Sequence, residues 1–403
     1  MDVRILKSSF AVVERRAEHA VTFFYAHLFW HHPELRPLFP AEPDAMRRQR
    51  DRLFAALTHV VAHLDEDSLL PYLRDLGRDH RKFRVGPEHY AAVGTSLLAA
   101  LAEAAGDAWT EEARAAWAEA YALIADAMTT AAAETDEPAW WDATLVRRLT
   151  HGDDLAVLTL RPDTPLTWTP GQYLSVSCPR DPTAWRTYSA ANAPRPDGTL
   201  DLHVSHVPGG RLSTRLVHEC APGDRFRLGA PAGTLGPRTV TRPLTLIAAG
   251  TGWAPVRAVL EDLVAGPPPE HPVRLFVVAR DPAHLYDRPL IDAWAALCPW
   301  LAVTYITPAP RRHRNEATDR LASALSGRER WHEHEVHLSG PPVFLAEISE
   351  VLLDLGVRPE HLVHDTVPGG RGAGPRPVGF GEWFLARPDP VWHNPAARAP
   401  RTP

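Results

Sequence analysis

The sequence predicts a multidomain protein: an all-α region, then an antiparallel β-barrel or sandwich, then an α/β region with a doubly wound parallel sheet. Apolar residues recur with helical spacing up to about residue 136. Short apolar runs separated by glycine and proline turns come next, and strands alternate with helices from about residue 241. A chain of 403 residues also exceeds what one hydrophobic core usually supports.

The N-terminal region is rich in alanine and leucine and carries apolar stripes with the spacing of helix faces. One stripe comprises Phe10, Val13, Ala17, Val21 and Phe24. Another begins in the segment "GPEHYAAVGTSLLAAL", where the proline suits the first turn of a helix. We therefore predict a helical domain over residues 1–138.

The middle and third regions differ in how their apolar runs are connected. The middle runs "LAVLTLRP", "GQYLSVSCP", "DLHVSHV" and "RFRLGAP" are typical of antiparallel strands, and we predict a β-barrel domain over 139–240. In the third region, "PLTLIAAG" precedes the helical "APVRAVLEDLV", and "EVHLSG" precedes "VFLAEISEVLLDLG". This alternation predicts a parallel α/β domain over 241–367. Residues 368–403 are rich in glycine, proline and arginine, so we expect little regular structure there.

The composition excludes several classes of protein. The net charge of −6 gives no reason to expect nucleic acid or an anionic membrane as a partner. No apolar run approaches the roughly 20 residues of a membrane span, and no signal-peptide pattern begins the chain. Cys178, Cys220 and Cys298 have no metal-binding spacing, which argues against a four-cysteine iron–sulfur centre. We expect a cytoplasmic monomer that acts on small molecules.

One histidine lies on an apolar helix stripe. His80 shares the 3–4 spacing of Leu73, Leu76 and Phe83 within "RDLGRDHRKFRVGPEHYAAVG". A histidine at such a position is either a core residue with a satisfied hydrogen bond or a group that is kept inside to hold something. The residues alone leave both readings open.

Two motifs in the middle region have the chemistry of an anion site. In "WRTYSAAN", strand alternation places Arg186 and Tyr188 on one face, where a guanidinium meets a phosphate and a phenol ring covers a flat ligand. In "VPGGRLST", Gly210 and Ser213 precede or open a helix whose N–H groups can receive an anion. The alternatives are a solvated arginine with a packed tyrosine, and an ordinary turn.

The third region carries two glycine loops at strand ends. "LTLIAAGTGWAPVRAVL" runs from a strand into Gly250-Thr251-Gly252, where glycines let a backbone approach a pyrophosphate. Alone, this is also compatible with a tight turn. The later "LSGPP" places a second loop at the same carboxyl edge, which favours a nucleotide crevice.

Taken together, the order "GQY…RTYS…GGRLS…APAG…GTGWAP…SGPP" resembles the ferredoxin–NADP reductase family over residues 150–367. The segments "FFYAHLFWHHPELRPLF" and "QRDRLF" resemble a bacterial globin, and a globin fused to this reductase resembles a flavohaemoglobin, with motifs in the expected order over most of the chain. The resemblance implies haem b, FAD and NAD(P)H as cofactors. It also implies a nitric oxide dioxygenase, in which electrons pass from NAD(P)H through FAD to haem, and the oxygen-bound haem converts nitric oxide to nitrate.

The resemblance also assigns residues. His80 becomes the proximal haem ligand, Tyr25 and Gln49 the distal polar groups, and Tyr90 a member of the proximal hydrogen-bond network. The haem pocket further includes Phe39 and Leu53. The residues that the resemblance implies for binding the flavin are Tyr173, Arg186, Tyr188, Ser189, Gly210 and Ser213. Those that it implies for binding the nicotinamide nucleotide are Gly250, Thr251, Gly252, Trp253, Ala254, Pro255, Ser339, Gly340 and Pro341.

Several positions depart from the family pattern. The proximal glutamate aligns with Ala132, and Glu134 can replace it only if the last helix shifts. A lysine–glutamate pair of the family becomes Asp79 and Asp365, which cannot form an ion pair. The aromatic that covers the flavin aligns with Val367. The tail aromatics, which either cover that flavin face or pack on another apolar patch, are Phe380, Trp383, Phe384 and Trp392.

Two other functions stay open on the sequence alone. One is a haem sensor or electron-transfer protein without nitric oxide turnover. The other is an NAD(P)H:flavin reductase for an external acceptor. Arg280, at the end of "VVAR", either favours the extra phosphate of NADPH or is only solvated.

Overall fold

The computed structural model describes residues 2–179, 181–233, 235–236, 239–308, 316–327 and 330–364. Its N-terminal part is helical, and the first helix begins where the Asp2 carboxylate accepts the N–H groups of Arg4 and Ile5. The helices are α1 (Val3–Glu14), α2 (Ala17–His31), α3 (Pro43–Ala62), α4 (Leu69–His80), α5 (Pro87–Ala105) and α6 (Glu111–Ala133). Helix α5 starts at its proline, as the sequence predicts.

The core of the helical part is built from the predicted stripes. Phe10, Val13 and Phe24 are buried together with Leu97 and Leu101 of α5. Helix α4 packs mainly against α6 and ends in a short 3₁₀ turn, Arg81–Phe83. Arg84 then adopts a left-handed conformation with φ of 60°, which turns the chain away from α4.

An antiparallel sheet follows the helices. Its strands are β1 (Trp141–His151), β2 (Leu155–Pro162), β3 (Tyr173–Cys178), β4 (Asp181–Ser189), β5 (Leu200–Ser205) and β6 (Arg225–Leu228). They lie in the order β4-β3-β6-β1-β2-β5. A bridge between Ala190 and Leu202 joins the two outer strands, so the sheet closes into a barrel around a buried apolar core. A short helix, α7 (Arg211–Thr214), precedes β6.

The last part is a parallel sheet covered on both faces. Its strands, in the order β11-β10-β7-β8-β9, are β7 (Leu244–Ala249), β8 (Val273–Val278), β9 (Leu301–Ile306), β10 (Glu335–Ser339) and β11 (Leu362–His364). The helices are α8 (Trp253–Ala265), α9 (Arg288–Leu297), α10 (Glu316–Leu325) and α11 (Pro342–Asp354). Leu246 packs with α8 and α9, whereas its neighbour Ile247 packs with α10 and α11. This alternation is the doubly wound arrangement.

The predicted fold class is therefore confirmed. The described helices end at Ala133 and the first strand begins at Trp141, while the predicted domain limits themselves remain a proposal. Within the described residues, no helix has the length and apolar character to cross a membrane. Cys178, Cys220 and Cys298 are buried free thiols. Val367 and the tail aromatics lie outside the described residues.

A buried ionic network joins the barrel to the parallel sheet part. Asp201 of β5 is 1% exposed and accepts hydrogen bonds from Thr159 and Arg195 at 2.7 and 2.8 Å. Arg257 of α8 approaches the same carboxylate at 3.4 Å. Because these charges are largely shielded from water, removing any one of them would leave the others without compensation and destabilise the fold.

Candidate functional site

His80 is the last residue of α4 and lies partly buried. Its Nδ1 donates a hydrogen bond to the Leu76 carbonyl at 2.8 Å, which fixes the tautomer and leaves the lone pair on Nε2. Burial lowers the pKa of the imidazole, so the neutral form is favoured. A neutral histidine oriented through its second nitrogen is the form that ligates a metal.

Tyr25 forms a buried polar group in the same helical core. Its side chain is 2% exposed, and Phe39 packs edge-on against its ring with centroids 5.5 Å apart. Burial raises the pKa of the phenol, and the Gln49 side chain hydrogen-bonds to it. Leu53 lines a small apolar cavity beside these groups, together with Phe24. The structure thus brings Tyr25, Gln49 and Phe39 together as the sequence expects.

Tyr90 packs in an apolar cluster with Leu76 and Met128. Burial raises the pKa of its phenol to about 12. Its carbonyl accepts a hydrogen bond from the Tyr121 hydroxyl at 2.6 Å. Glu134, considered as a substitute for the missing proximal acid, forms a half-exposed ion pair with Arg74 instead. That ion pair holds Glu134 on the surface.

The predicted flavin residues lie on two neighbouring strands. Leu174 pairs with Tyr188, and Tyr173 pairs with Ser189 in the β3–β4 register. Tyr188 packs against the barrel core, and burial raises the pKa of its phenol. The carboxyl-end part of β4 thereby places Arg186 and Tyr188 on one face, as strand alternation predicts.

The glycine loop before α7 is closed by local hydrogen bonds. Gly209 has a φ of 76°, and Gly210 is the residue that precedes the helix. Ser213 Oγ accepts the Val207 N–H at 3.1 Å, so this hydroxyl holds the loop itself. Ser213 is the third residue of α7, not its first.

Two loops meet at the carboxyl edge of the parallel sheet. Gly250 has a φ of 58°, and Gly250–Gly252 form a 3₁₀ turn between β7 and α8. A Cβ on Gly252 would overlap the Ser339 carbonyl of the second loop, so only glycine permits this contact. Gly340 likewise lies against Ala249. The two glycine motifs that are expected to line a nucleotide crevice are therefore in contact at this edge, and the crevice itself stays a prediction.

The other predicted nucleotide residues flank this contact. Trp253, Ala254 and Pro255 are buried in the first turn of α8. The Trp253 Nε1 donates to Asp287 at 2.8 Å. Thr251 is partly exposed, and Pro341 precedes α11. Arg280 is paired with Asp154 of the β1–β2 turn, where its guanidinium is 63% exposed.

Replacing Gly252 by alanine should force the two loops apart. We expect a loss of stability of about 1–3 kcal/mol and about tenfold weaker binding of NADH. Binding is measured by the rate of anaerobic flavin reduction against NADH concentration. Gly327→Ala is the matched control, because a Cβ there meets nothing within 4 Å. Equal behaviour of the two variants would contradict the assigned role of the loop contact.

The residues present fit the three cofactors that the sequence implies. For haem, the oriented His80 imidazole is a suitable ligand, and the buried Arg50 Nε, which has no hydrogen-bond partner among the described residues, is a suitable donor to a carboxylate. For a nucleotide, Gly250 has a positive φ and open space around its α-carbon, while Gly252 is the residue that lets the second loop approach. These features match ligation and anion binding, respectively.

For a flavin, the fit depends on arginine side chains that lie close enough to repel one another. Burial and the nearby charges of Arg186 and Arg48 lower the pKa of Arg52 to about 10. An anionic diphosphate would relieve this repulsion. Trp185 Nε1 is also buried without a partner among the described residues. These side chains suit a ligand that brings negative charge and acceptor atoms.

Sequence reasoning missed four residues of this region. Arg52 lies within "QRDRLF" and Trp185 begins "WRTYSAAN", but the sequence assigns neither of them a role. Lys82 was overlooked because lysine is usually solvated, although it follows His80 by two positions. For Asp201, the only indication in the sequence is that it is an acidic residue within an apolar strand.

Comparisons with known proteins agree with this architecture. A globin family model matches residues 22–128, an oxidoreductase FAD-binding domain matches 142–236, and an oxidoreductase NAD-binding domain matches 246–349. A flavohemoprotein of Pseudomonas aeruginosa is 29% identical over 374 residues, covering 88% of this chain and 93% of the relative. A flavohemoprotein of Bacillus anthracis is 27% identical over 401 residues, with 90% and 96% covered.

A solved structure has the same fold over nearly the whole chain. The flavohemoglobin of Malassezia yamatoensis, crystallised with bound FAD and heme, matches with a TM-score of 0.70 at 21% identity. The match covers 90% of this chain and 97% of that one.

Proposed function

Because this chain joins a globin domain to FAD- and NAD-binding oxidoreductase domains, in the arrangement of the flavohemoproteins, we propose that it is an NAD(P)H-dependent nitric oxide dioxygenase. Its substrates are nitric oxide, dioxygen and NAD(P)H, and its product is nitrate. Haem b and FAD are its bound cofactors. The observation that carries the proposal is the buried Tyr25–Gln49 pair in the domain that holds His80.

When bound, the nicotinamide supplies a hydride, the flavin divides it into single electrons, and the haem iron activates dioxygen. His80 would hold the iron through Nε2, because its Nδ1 is committed to the Leu76 carbonyl. Tyr25 stays protonated because burial raises its pKa, so its hydroxyl is available as a donor to developing negative charge. A fixed donor in an apolar pocket is worth more than one in water.

The barrel and the parallel sheet would each bind one cofactor, the flavin and the nicotinamide nucleotide respectively. Arg186 would hold the flavin diphosphate, while Tyr188 and Ser189 contact the flavin ring. Gly250, Thr251 and Gly252 would follow the nicotinamide nucleotide, with the second loop at Ser339, Gly340 and Pro341 on its other side. The close approach of the two loops supports this assignment.

A second candidate is an oxygen-binding sensor or electron-transfer protein without nitric oxide turnover. The observation that favours it is the Glu134–Arg74 ion pair, which keeps this carboxylate on the surface. Without an acid in the proximal network, the histidine would be a weaker electron donor to the iron. The two candidates differ in turnover and not in cofactor content.

The experiment is a nitrate assay on the haem- and FAD-loaded protein with NADH or NADPH, dioxygen and nitric oxide. We expect nitrate equal to the nitric oxide consumed. Tyr25→Phe should lower the rate about 10²–10³-fold while both cofactors stay bound. Phe29→Leu, at a neighbouring ring, is the control and should stay close to the wild type. NADH oxidation without nitrate would refute the dioxygenase; if the haem is reduced, the second candidate is favoured, and if only an external acceptor is reduced, the chain is a flavin reductase.

A further inference from the structure

Lys82 is a buried cation at the boundary between the helical domain and the barrel. Its side chain is 7% exposed, and its Nζ is paired with Asp79, which precedes His80. The same Nζ donates to Ser175 Oγ of β3 at 3.0 Å, across 93 positions of sequence. We call Lys82, Asp79 and Ser175 the Lys82 cluster. Lysine is almost never this buried unless it is paired.

Aromatic rings surround the ammonium group. Lys82 Nζ lies 5.1 Å from the centroid of the Phe83 ring and 5.5 Å from that of Trp185. The two rings meet edge to face with centroids 6.3 Å apart, and the Phe83 ring is 6.2 Å from the His80 ring. A buried cation close to two aromatic rings is stabilised by cation–π attraction to both of them. Ring contacts therefore link His80 through Phe83 to Trp185, which precedes Arg186 on β4.

Two further contacts between the helical domain and the barrel are more exposed. Glu42 is paired with Arg211, and both side chains are about half exposed. Arg84 lies over the ring of Trp140, the residue that precedes β1, at 5.6 Å from its centroid. Exposed ion pairs contribute little to holding surfaces together. The Lys82 cluster is the buried polar contact among those named here.

We propose that Lys82 is a positioning residue that docks the His80 corner of the globin domain on the FAD-binding barrel and so sets the rate of electron transfer from flavin to haem. Lys82 bears on electron transfer only if the proposed function holds, whereas the docking does not depend on it. Asp79 keeps the ammonium in place, and Ser175 receives it on the barrel. Loss of this contact widens or loosens the boundary, and small displacements of reacting groups lower rates strongly.

The test uses the full chain loaded with haem and FAD, in four forms. Lys82→Met keeps the packing on the rings but removes the charge. Ser175→Ala removes only the acceptor on the barrel and leaves the Lys82–Asp79 ion pair intact, so it serves where Lys82→Met fails to fold. Glu42→Gln breaks the exposed ion pair and is the matched control. Soret absorbance and flavin fluorescence verify that each form retains both cofactors.

Two measurements follow on each form. In anaerobic stopped flow with NADH, flavin reduction should be unchanged, while the subsequent haem reduction should slow about tenfold in Lys82→Met and less in Ser175→Ala. A protease that cleaves on the N-terminal side of aspartate should cut before the exposed Asp136, between α6 and β1, severalfold faster in both variants. Glu42→Gln should match the wild type in both measurements.

The outcomes separate the two levels of inference. Wild-type rates of haem reduction and of cleavage in folded Lys82→Met and Ser175→Ala would overturn the role of Lys82. Slow haem reduction and fast cleavage would support it, even if the wild type forms no nitrate. If the wild-type haem accepts no electrons from flavin, the cleavage rates alone decide: faster cleavage supports docking by Lys82, and unchanged cleavage refutes it.

Discussion

Replacing His80 by alanine should abolish stable haem binding while leaving the rest of the chain folded. The imidazole, which its hydrogen bond to Leu76 orients, is the iron ligand that we propose, and its removal would take that ligand away. We expect haem affinity to fall by at least about 100-fold, since loss of a partner behind a ligand already costs 10–100-fold. Titration of the haem-free protein with hemin, followed by Soret absorbance, measures the affinity.

Two further variants make this result specific. His19→Ala removes a half-exposed histidine of α2 and should bind haem like the wild type. His80→Gly should regain the Soret band when imidazole is supplied in solution, because the added ring can occupy the space left by the side chain. An unaltered Soret band in folded His80→Ala would show that another group holds the iron. FAD content should be equal in all forms.

Replacing Asp201 by alanine should cause the largest loss of stability of any change considered. It removes the buried carboxylate that pairs with both Arg195 and Arg257 and leaves them Glu261 as the acid that they share. Breaking a buried ion pair by removing one partner costs about 3–5 kcal/mol. Urea unfolding followed by flavin fluorescence measures the effect on the barrel. Asp163→Ala removes the exposed partner of Arg225 and should leave the midpoint nearly unchanged.

The same carboxylate predicts an effect of pH. Burial alone would raise the pKa of Asp201, but the hydrogen bonds from Thr159 and Arg195 and the charge of Arg195 lower it below its usual value. Its contribution is therefore complete above the unfolded pKa of about 4 and is lost as the pH falls through the folded value. In acid, the gap in stability between the wild type and Asp201→Ala should narrow. A constant gap down to pH 2 would contradict this.

Local patterns accounted for most of the fold. Pro87 begins its helix, and Gly250 and Gly252 fall between a strand and a helix, because both residues act through their own backbone geometry. The alternation of Leu246 and Ile247 between two cores follows from an all-apolar strand in a parallel sheet. Such features need no knowledge of distant residues.

The parts that depend on distant residues could not be predicted. Lys82 is buried only because Ser175 and Trp185 of the barrel lie over it. Asp201 acquires its role from Arg257 of another domain. The departure at Asp79 suggested a lost ion pair, whereas the structure gives this carboxylate a new partner three positions later. Contacts between domains have no periodicity, so a single sequence carries little trace of them.

The position of the barrel matters for anyone who wishes to express parts of this chain separately. Ser175 faces the helical domain, and Asp201 faces the parallel sheet, so the barrel shares a buried charge with each neighbour. Cutting near residue 138 would expose the Lys82 ammonium group, and cutting near 240 would expose Asp201 and Arg195 on one fragment and the Arg257 guanidinium group on the other. Fragments that end at these two domain boundaries should be unstable unless Lys82, or Asp201 together with its arginine partners, is first replaced by uncharged residues.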